Sequence, residues 1–539
     1  MKCLLLLCCY ISFSANRAHL TSSASFAHQE STPEDAFQRG LAALGENRLE
    51  DALAEFNVAE RDHPDDARIR NFRGILLARM GNNAEASAEY LEAIRLNPLL
   101  ADAYRNLGFL QWTEHQLPSA RETLQRALRI SPKDSFAHYY LGRVELDAQQ
   151  YQRALNELDL SQQPFPRDIA FLLQVTTGYI ALGRREDARK SLDELTKLPL
   201  DDAQSLQAAS LLLSIQQNSL AISVIQQLVR RAPPLQARWA QFDLALTYLL
   251  AGEYEKTIEQ ALAYTEAVRR AGPEASEAAD AWSLIGIAYA HNNQGERSVE
   301  ALRQAATLAP SNEEHWLNLT RELMELNRYS EAITAVRAGI TGNPKSYALH
   351  LRLGAAYLAA GRYPEAETTF RELVVAGDPL PTGYVGLAQV LIRTGRAQEA
   401  SAVLAAAEKK LGSSFLLCYF RGLALDRAGK PSDAAVVFQH AVQLDPHNAE
   451  AHLNLGKTEL TLGDTAKAIA ELAEAVRLDS GNIQAKRLLS QAYQRSGDTN
   501  NATKYAQASA EVPVAATSSL VSDFFTPSWQ RPPDSSAKK

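Results

Sequence analysis

Residues 279–312 read ADAWSLIGIAYAHNNQGERSVEALRQAATLAPSN, and these 34 residues are one copy of a repeat that fills most of the chain. Alanine returns every 34 positions in two unbroken runs: Ala52, Ala86, Ala120, Ala154 and Ala188, then Ala332, Ala366, Ala400, Ala434, Ala468 and Ala502. Such a period is typical of a solenoid, in which each repeat buries its apolar face only against its neighbours. The architecture predicts a binding scaffold and does not identify the partner.

Four positions of the repeat predict its local structure. The fourteen units begin at residues 33, 67, 101, 135, 169, 202, 238, 279, 313, 347, 381, 415, 449 and 483. Position 8 is glycine in eight units and position 20 is alanine in twelve, so we expect two helices to approach closely where these small residues meet. Glycine or asparagine at position 15 is typical of a helix that ends with a residue in the left-handed backbone conformation. Proline at position 32 is expected to end a second helix. Each unit is therefore predicted to be a helical hairpin.

The repeat resembles the tetratricopeptide repeat family. The unit that begins at residue 279 matches the family pattern well, with Trp282, Ile285, Gly286, Tyr289, Leu302, Ala305 and Pro310. The resemblance implies an all-α protein, an α-solenoid of about fourteen helix-turn-helix repeats forming a right-handed superhelix. It also implies a concave face, lined by the first helices, that holds extended peptides or helices.

The pattern divides the chain into segments. Residues 33–201 form an N-terminal array of five repeats and residues 279–511 a C-terminal array of seven. Between them, residues 202–278 are irregular, and the spacing between two unit starts rises to 41. Gly272 and Pro273 should end one helix and begin the next, which predicts two lengthened helices. This stretch is either a taller hairpin without a role or a hinge or docking ridge.

The N-terminus has the features of a secretory signal peptide. Lys2 precedes an apolar run over residues 3–13, and small and polar residues follow. Cleavage after Ala27 is expected, with Ser14 or Ala15 as alternatives, which leaves residues 28–32 as a linker. The protein is then exported to a periplasmic or extracellular location. A lipoprotein and an uncleaved N-terminal anchor are the alternatives, and no membrane span is expected in the mature chain.

Composition and motifs argue against several functional classes. Of the four cysteines, Cys418 alone would follow the leader, so no internal disulfide is expected. The formal net charge of −8 gives no electrostatic case for nucleic acid. No catalytic or metal-binding motif occurs, and the repeats leave no room for a catalytic domain. We therefore expect no enzyme activity, no metal and no cofactor.

Histidine and cysteine, which occur at position 4 in four units, are residue types that can bind metals or act in catalysis. Three histidines and the single mature cysteine occupy this position: His138, His350, His452 and Cys418. Other units carry Tyr or Trp there, so these residues are expected to replace core aromatics. Cys418 should be an inert buried thiol.

The candidate groove follows from helical geometry. Positions 4, 7, 8 and 11 form the packing stripe of the first helix, and positions 2, 6, 9 and 13 point roughly the opposite way. In the last five units this second face carries an excess of basic residues: Arg352, Arg393, Arg427, Lys457 and Arg495. The pattern predicts a groove for an acidic segment or a free carboxylate, with arginines as bidentate donors. The alternative is a solvated face of no special role.

Three asparagines share position 6: Asn106, Asn318 and Asn454. In related arrays, asparagines at this position resemble a ladder of amide groups for a peptide backbone. Peptide contact is therefore one interpretation, and a local polar surface is the other. Beyond the repeats, residues 512–539 lose all periodicity and are expected to be mostly disordered. Their aromatic residues, Phe524, Phe525 and Trp529, would either cap the last helix pair or serve as a docking motif.

The sequence thus favours an exported, non-enzymatic scaffold that binds other proteins or peptides along a concave groove. A structural or accessory component of an envelope export or assembly complex is the alternative, and the oligomeric state is left open.

Overall fold

The computed structural model describes residues 33–161, 168–232, 234–271, 275–376 and 380–510, and regular structure within these ranges is entirely helical. The predicted signal peptide, the linker and the C-terminal tail lie outside the described residues, as do Gly272 and Pro273. The chain divides into two compact units, Met1–Ala251 and Gly252–Lys539.

The described residues of the first unit form thirteen helices: α1 Pro33–Gly45, α2 Leu49–Asp62, α3 Ala67–Arg79, α4 Asn83–Leu96, α5 Ala101–Thr113, α6 Leu117–Ile130, α7 Ser135–Asp147, α8 Tyr151–Ser161, α9 Ile169–Ala181, α10 Arg185–Leu195, α11 Asp202–Ser214, α12 Asn218–Arg231 and α13 Pro234–Leu250. Odd-numbered helices are the first helices of the repeats and even-numbered helices are the second. α13 has 17 residues, against 11 to 14 in the helices before it.

The second unit begins with the second helix of a repeat: α14 Tyr254–Ala271, then a short 3₁₀ helix Ala275–Ala278, α15 Ala279–His291, α16 Gly295–Leu308, α17 Glu313–Glu325, α18 Tyr329–Gly342, α19 Tyr347–Ala359, α20 Tyr363–Val375, α21 Pro381–Arg393, α22 Ala397–Leu411, α23 Phe415–Arg427, α24 Pro431–Leu444, α25 Ala449–Leu462, α26 Thr465–Leu478, α27 Ile483–Ser496 and α28 Thr499–Ala510. α14 has 18 residues, so the two long helices lie in the stretch of irregular spacing. Within this unit each helix packs on its sequence neighbours, and consecutive first helices, such as α19 and α21, also touch.

The last residue of a repeat often caps the first helix of the next. In nine repeats an Asp, Asn or Ser side chain at this point accepts a hydrogen bond from a backbone N–H of the first turn: Asp66, Asp134, Asp168, Asp201, Asn312, Ser346, Ser414, Asn448 and Asn482. The caps satisfy backbone donors that the helix itself leaves unpaired. They fix the start of these nine hairpins, as a proline at position 32 ends the preceding hairpin where one is present.

The turn between the two helices has one backbone conformation in all fourteen repeats. Position 15 has positive φ at every glycine and asparagine predicted there, for example Gly361 at 71° and Asn47 at 59°. Three repeats place a less suitable residue in the same conformation: His115 at 60°, Gln149 at 57° and Gln216 at 65°. The geometry of the hairpin therefore prevails over the local preference of these three residues.

The partner of the glycine at position 8 differs from the prediction. We expected it to meet the small residue at position 20, but its nearest side chain is the large residue at position 24. A Cβ added at Gly354 would lie 2.7 Å from the ring of Phe370, and one added at Gly286 would lie 2.5 Å from Leu302. The expectation of small against small was wrong because a bulky side chain fills the space that the glycine leaves.

The alanine at position 20 is buried for a different reason. It lies between helices with 0% exposure in every repeat but the last, and Thr257 and Ser298 share this burial where they replace it. In the last hairpin Ala502 is partly exposed, and α28 has no buried residue among those described. Each repeat thus completes its core only through the next one.

None of the helices within the described residues combines the length and the apolar character that a membrane span requires.

Candidate functional site

Four consecutive first helices of the second unit form a pocket of about 500 Å³. Its side chains come chiefly from positions 6, 9, 12 and 13 of α17, α19, α21 and α23. Positions 6, 9 and 13 belong to the predicted groove face, and position 12 lies beside it. We call it the arginine pocket because of its four guanidinium groups: Arg321, Arg352, Arg393 and Arg427. Glu325 is the one carboxylate among the described residues that line it.

The two inner arginines are partly buried beside each other. Burial, and secondarily the positive charge of Arg321, lower the pKa of Arg352 to about 10. Burial also lowers the pKa of Arg321, against the opposing effect of Glu325. Both groups remain cations at neutral pH, so the pocket holds like charges close together. A bound anion would relieve this repulsion.

The two outer arginines are exposed at the last turns of α21 and α23. Within the described part of the chain, neither Arg393 nor Arg427 has a side-chain hydrogen bond or an ion pair. Their guanidinium donors are therefore available to a ligand. A planar guanidinium can hold a carboxylate through two parallel hydrogen bonds.

Gln389 lies among these arginines and is buried, with 7% exposure. Both polar atoms of its amide, Nε2 and Oε1, lack a hydrogen-bond partner among the described residues. Position 9 of α21 places this amide in the pocket lining. Position 9 belongs to the predicted groove face, but the burial of Gln389 and its unpaired amide depend on packing between helices that a repeat pattern does not reveal.

Apolar side chains complete the lining. Phe420 and Leu423 come from α23, Ile392 from α21, and Leu358 from α19. Tyr329 of α18 and Tyr363 of α20 also line the pocket, which helical periodicity of the first helices alone could not predict. The pocket therefore combines cationic groups with apolar walls, which suits the aliphatic stem of a charged side chain.

Two of the predicted groove residues lie outside this lining and have partners. Lys457 Nζ lies 2.9 Å from Asp426 Oδ2, so its charge is balanced by the preceding repeat. Arg495 donates from Nη1 to the carbonyl oxygen of Leu460 at 2.8 Å. The same face also carries Glu450, whose pKa is raised by burial. Among the described residues, the predicted groove arginines without a partner are thus Arg393 and Arg427, and both line the arginine pocket.

The three asparagines at position 6 bond to the preceding repeat. Their Nδ2 atoms donate to position 5 of that repeat in each case: Asn106 to Asn71 Oδ1 at 3.0 Å, Asn318 to Ser283 Oγ at 3.3 Å, and Asn454 to the Tyr419 hydroxyl at 3.2 Å. Within the second unit, Asn318 and Asn454 have three repeats between their own, so these two amides do not come together. Asn106 lies in the first unit. Each one links neighbouring repeats.

The position 4 residues serve packing. His452 Nδ1 lies 2.7 Å from Glu471 Oε2 and its Nε2 lies 3.1 Å from the Pro446 carbonyl oxygen, and His138 repeats both contacts with Glu157 and Pro132. His350 instead contacts the Ser346 carbonyl oxygen at 2.7 Å. Cys418 is buried at 1% exposure, and burial raises the pKa of its thiol to about 12. In the part of the chain that the structure describes, no group of three His, Cys, Asp or Glu side chains is arranged to hold a metal ion.

Two known proteins are similar in sequence to parts of this chain. Tetratricopeptide repeat protein 37 of Xenopus laevis is 25% identical over 214 residues, which are 38% of this chain and 13% of that protein. The Hsp70-Hsp90 organizing protein of Triticum aestivum is 25% identical over 126 residues, 23% of this chain and 21% of that protein. The match thus spans less than a quarter of either relative.

Two solved structures are similar at low sequence identity. Yeast Tom70 has a TM-score of 0.39 at 14% identity, covering 82% of this chain and 96% of that chain. A tetratricopeptide repeat protein from Parabacteroides merdae has a TM-score of 0.39 at 15% identity, covering 48% of this chain and 99% of that chain.

Family profiles decide the classification. Profiles described as tetratricopeptide repeat match residues 110–168, 257–313, 317–383 and 427–492, and one described as TPR repeat matches residues 76–113. Together the matches cover slightly more than half of the chain, on both sides of the irregular stretch. The chain belongs to the tetratricopeptide repeat family.

Proposed function

We propose that this protein is a non-enzymatic scaffold that binds an acidic segment of another protein in the arginine pocket. The observation that carries the proposal is the charge of the lining: four guanidinium groups face one carboxylate. The chain as a whole has a formal net charge of −8, so this local excess of positive charge runs against its composition. The family supports the general function, since its relatives include the Hsp70-Hsp90 organizing protein.

Several arginines elsewhere in the same unit are paired with glutamates, unlike the outer arginines of the pocket. Directly before α20 and α22, Arg362 lies 2.6 Å from Glu365 and Arg396 lies 2.6 Å from Glu399, and within α20 Arg371 lies 2.7 Å from Glu399. Exposed pairs of this kind contribute little to stability but neutralise local charge. The outer arginines of the pocket have no such neighbour among the described residues, which leaves them to bind an external anion.

The size of the pocket limits the ligand. A volume of about 500 Å³ accommodates a few side chains and not a folded domain. An extended segment can place acidic side chains against the outer arginines while its stem contacts Phe420 and Leu423. Charge attraction of this type speeds association and weakens as salt increases.

We also propose that the protein acts after export. Lys2, the apolar residues 3–13 and the cleavage sequence that ends at Ala27 support this location. Mass spectrometry of the N-terminus of protein recovered from its host tests it. A chain that starts at residue 28 supports export with cleavage of the leader, and one that keeps Met1 and its leader contradicts that cleavage.

Affinity capture with the full chain tests the binding function. The wild-type protein is compared with an R393E/R427E variant and with an R362E/R477E control, which makes the same change of charge at exposed arginines outside the pocket. Proteins captured at low and at high salt are identified by mass spectrometry. We expect acidic partners to be retained by the wild type and the control at low salt, and lost from R393E/R427E while helicity is unchanged. Equal capture by all three proteins would refute the assignment of the site.

A further inference from the structure

The amide of Gln389 lies among the guanidinium groups that line the arginine pocket. It is more than nine-tenths buried, and both its donor and its acceptor are unpaired among the described residues. Leaving either atom unpaired in a buried site is costly, so a ligand that pairs both gains affinity. The charged groups around the amide attract anions, but they do not explain why an amide lies among them.

The chemistry of a primary amide restricts what can satisfy it. The C=O and one N–H of a carboxamide lie on the same side, so two carboxamides can pair through two parallel hydrogen bonds. A carboxylate carries acceptors only, which would pair with Nε2 and leave Oε1 facing negative charge. An apolar side chain would pair with neither atom. A ligand side chain with its own carboxamide satisfies both.

We propose that the pocket takes an acidic segment that contains an asparagine or glutamine, with the ligand carboxamide paired to Gln389 and the flanking carboxylates held by Arg393 and Arg427. The proposal rests on the proposed function, because binding of the ligand carboxylates to the arginines places the ligand carboxamide beside Gln389. The depth of the groups supports the arrangement: Gln389 is buried, whereas both outer arginines are exposed at the ends of their helices. Ile392 and Leu423 of the lining would contact the stem of the inserted side chain.

Binding of three labelled pentapeptides to the full chain, measured by fluorescence anisotropy, tests this selectivity. The peptides are Glu-Glu-Gln-Glu-Glu and the versions with methionine or glutamate at the centre. We expect the glutamine peptide to bind about ten-fold more tightly than the methionine peptide, the effect of two paired hydrogen bonds. The Gln389→Met variant should lose this preference. The Gln491→Met variant, altered at the same repeat position outside the pocket, should keep it.

The outcomes separate the two proposals. If all three peptides bind wild-type protein equally, or if Gln389→Met keeps the preference for glutamine, the pairing is refuted and the acidic groove stands. If no acidic peptide binds, both proposals fail. A second measurement needs no ligand: Gln389→Met should raise the thermal unfolding midpoint, because methionine removes an unpaired buried amide of similar size. A lower midpoint would show that the amide is already paired inside the protein and would overturn the proposal.

Discussion

Asn454 donates a hydrogen bond from Nδ2 to the hydroxyl of Tyr419, 3.2 Å away, across the boundary between two repeats. Asn106 and Asn318 make the equivalent contact to the preceding repeat in their own parts of the chain. The residues are 35 positions apart in every pair, one more than the period. An asparagine at position 6 therefore joins hairpins that otherwise meet through apolar surface.

The first prediction concerns this contact. In a double-mutant cycle with Asn454→Ala and Tyr419→Phe, we expect each change to lower the free energy of unfolding by about 1 kcal/mol. The double variant should lose less than the sum, because the two groups share one bond. Urea unfolding followed by circular dichroism measures the cycle. Strictly additive losses would show that the contact contributes nothing.

The second prediction concerns the turns with positive φ. Gln149 has φ of 57° and is exposed, so Gln149→Gly should raise the free energy of unfolding by about 0.5–1 kcal/mol. Gln149→Ala is the matched control and should bring no gain, since it keeps the Cβ that disfavours this conformation. Conversely, Gly361→Ala should destabilise by about 1 kcal/mol, although a Cβ there meets nothing within 4 Å. The shift of the urea midpoint measures all three, and a gain from Gln149→Ala would argue against the backbone explanation.

The third prediction concerns pH. The hydrogen bond to Glu471, helped by the Pro446 carbonyl oxygen, raises the pKa of His452 above its ordinary value of 6.5. Folding therefore favours the protonated imidazole. The resulting contribution to stability is complete below pH 6.5 and is lost as the pH rises through the folded pKa.

Nuclear magnetic resonance of the histidine Cε1–H groups measures this titration. Glu471→Gln should lower the pKa of His452. His315 provides an internal comparison, because burial lowers its pKa. Titration of His452 below His315 would contradict the hydrogen-bond arrangement.

The fourth prediction concerns Cys418. Its thiol is 1% exposed and its pKa is raised to about 12 by burial, so very little thiolate forms at pH 8. Iodoacetamide should label Cys418 slowly in the native chain and rapidly in urea, as resolved by peptide mass spectrometry. Rapid labelling of the native protein would show that the Cys418 thiol is reactive and would contradict its interpretation as an inert buried residue.

The period of the sequence was sufficient to predict the helical hairpins and the left-handed turns, because glycine, asparagine and proline act on the local backbone. It could not predict that His115 and Gln216 adopt the same turn, since tertiary packing imposes that conformation. It also misassigned the partner of Gly354, because the register between two helices depends on the bulk of Phe370 rather than on small residues alone.

The candidate site was predictable in part. Arg352, Arg393 and Arg427 share one helical face, and the structure brings them into one pocket. Lys457 shares that face but pairs with Asp426 of the preceding repeat, a contact that depends on how consecutive repeats are offset. The unpaired amide of Gln389 could not be predicted, because it depends on the burial of that side chain, which a single sequence does not show.

The affinity of the full chain for a labelled oligoglutamate peptide, measured by anisotropy across a range of salt concentrations, tests the central claim most directly. Two charge-assisted hydrogen-bonded contacts are removed in R393E/R427E, so its affinity should fall by at least about ten-fold, and wild-type affinity should fall as salt increases. The R362E/R477E control should bind like the wild type. Equal, salt-independent affinity in all three proteins would contradict an acidic ligand in the arginine pocket.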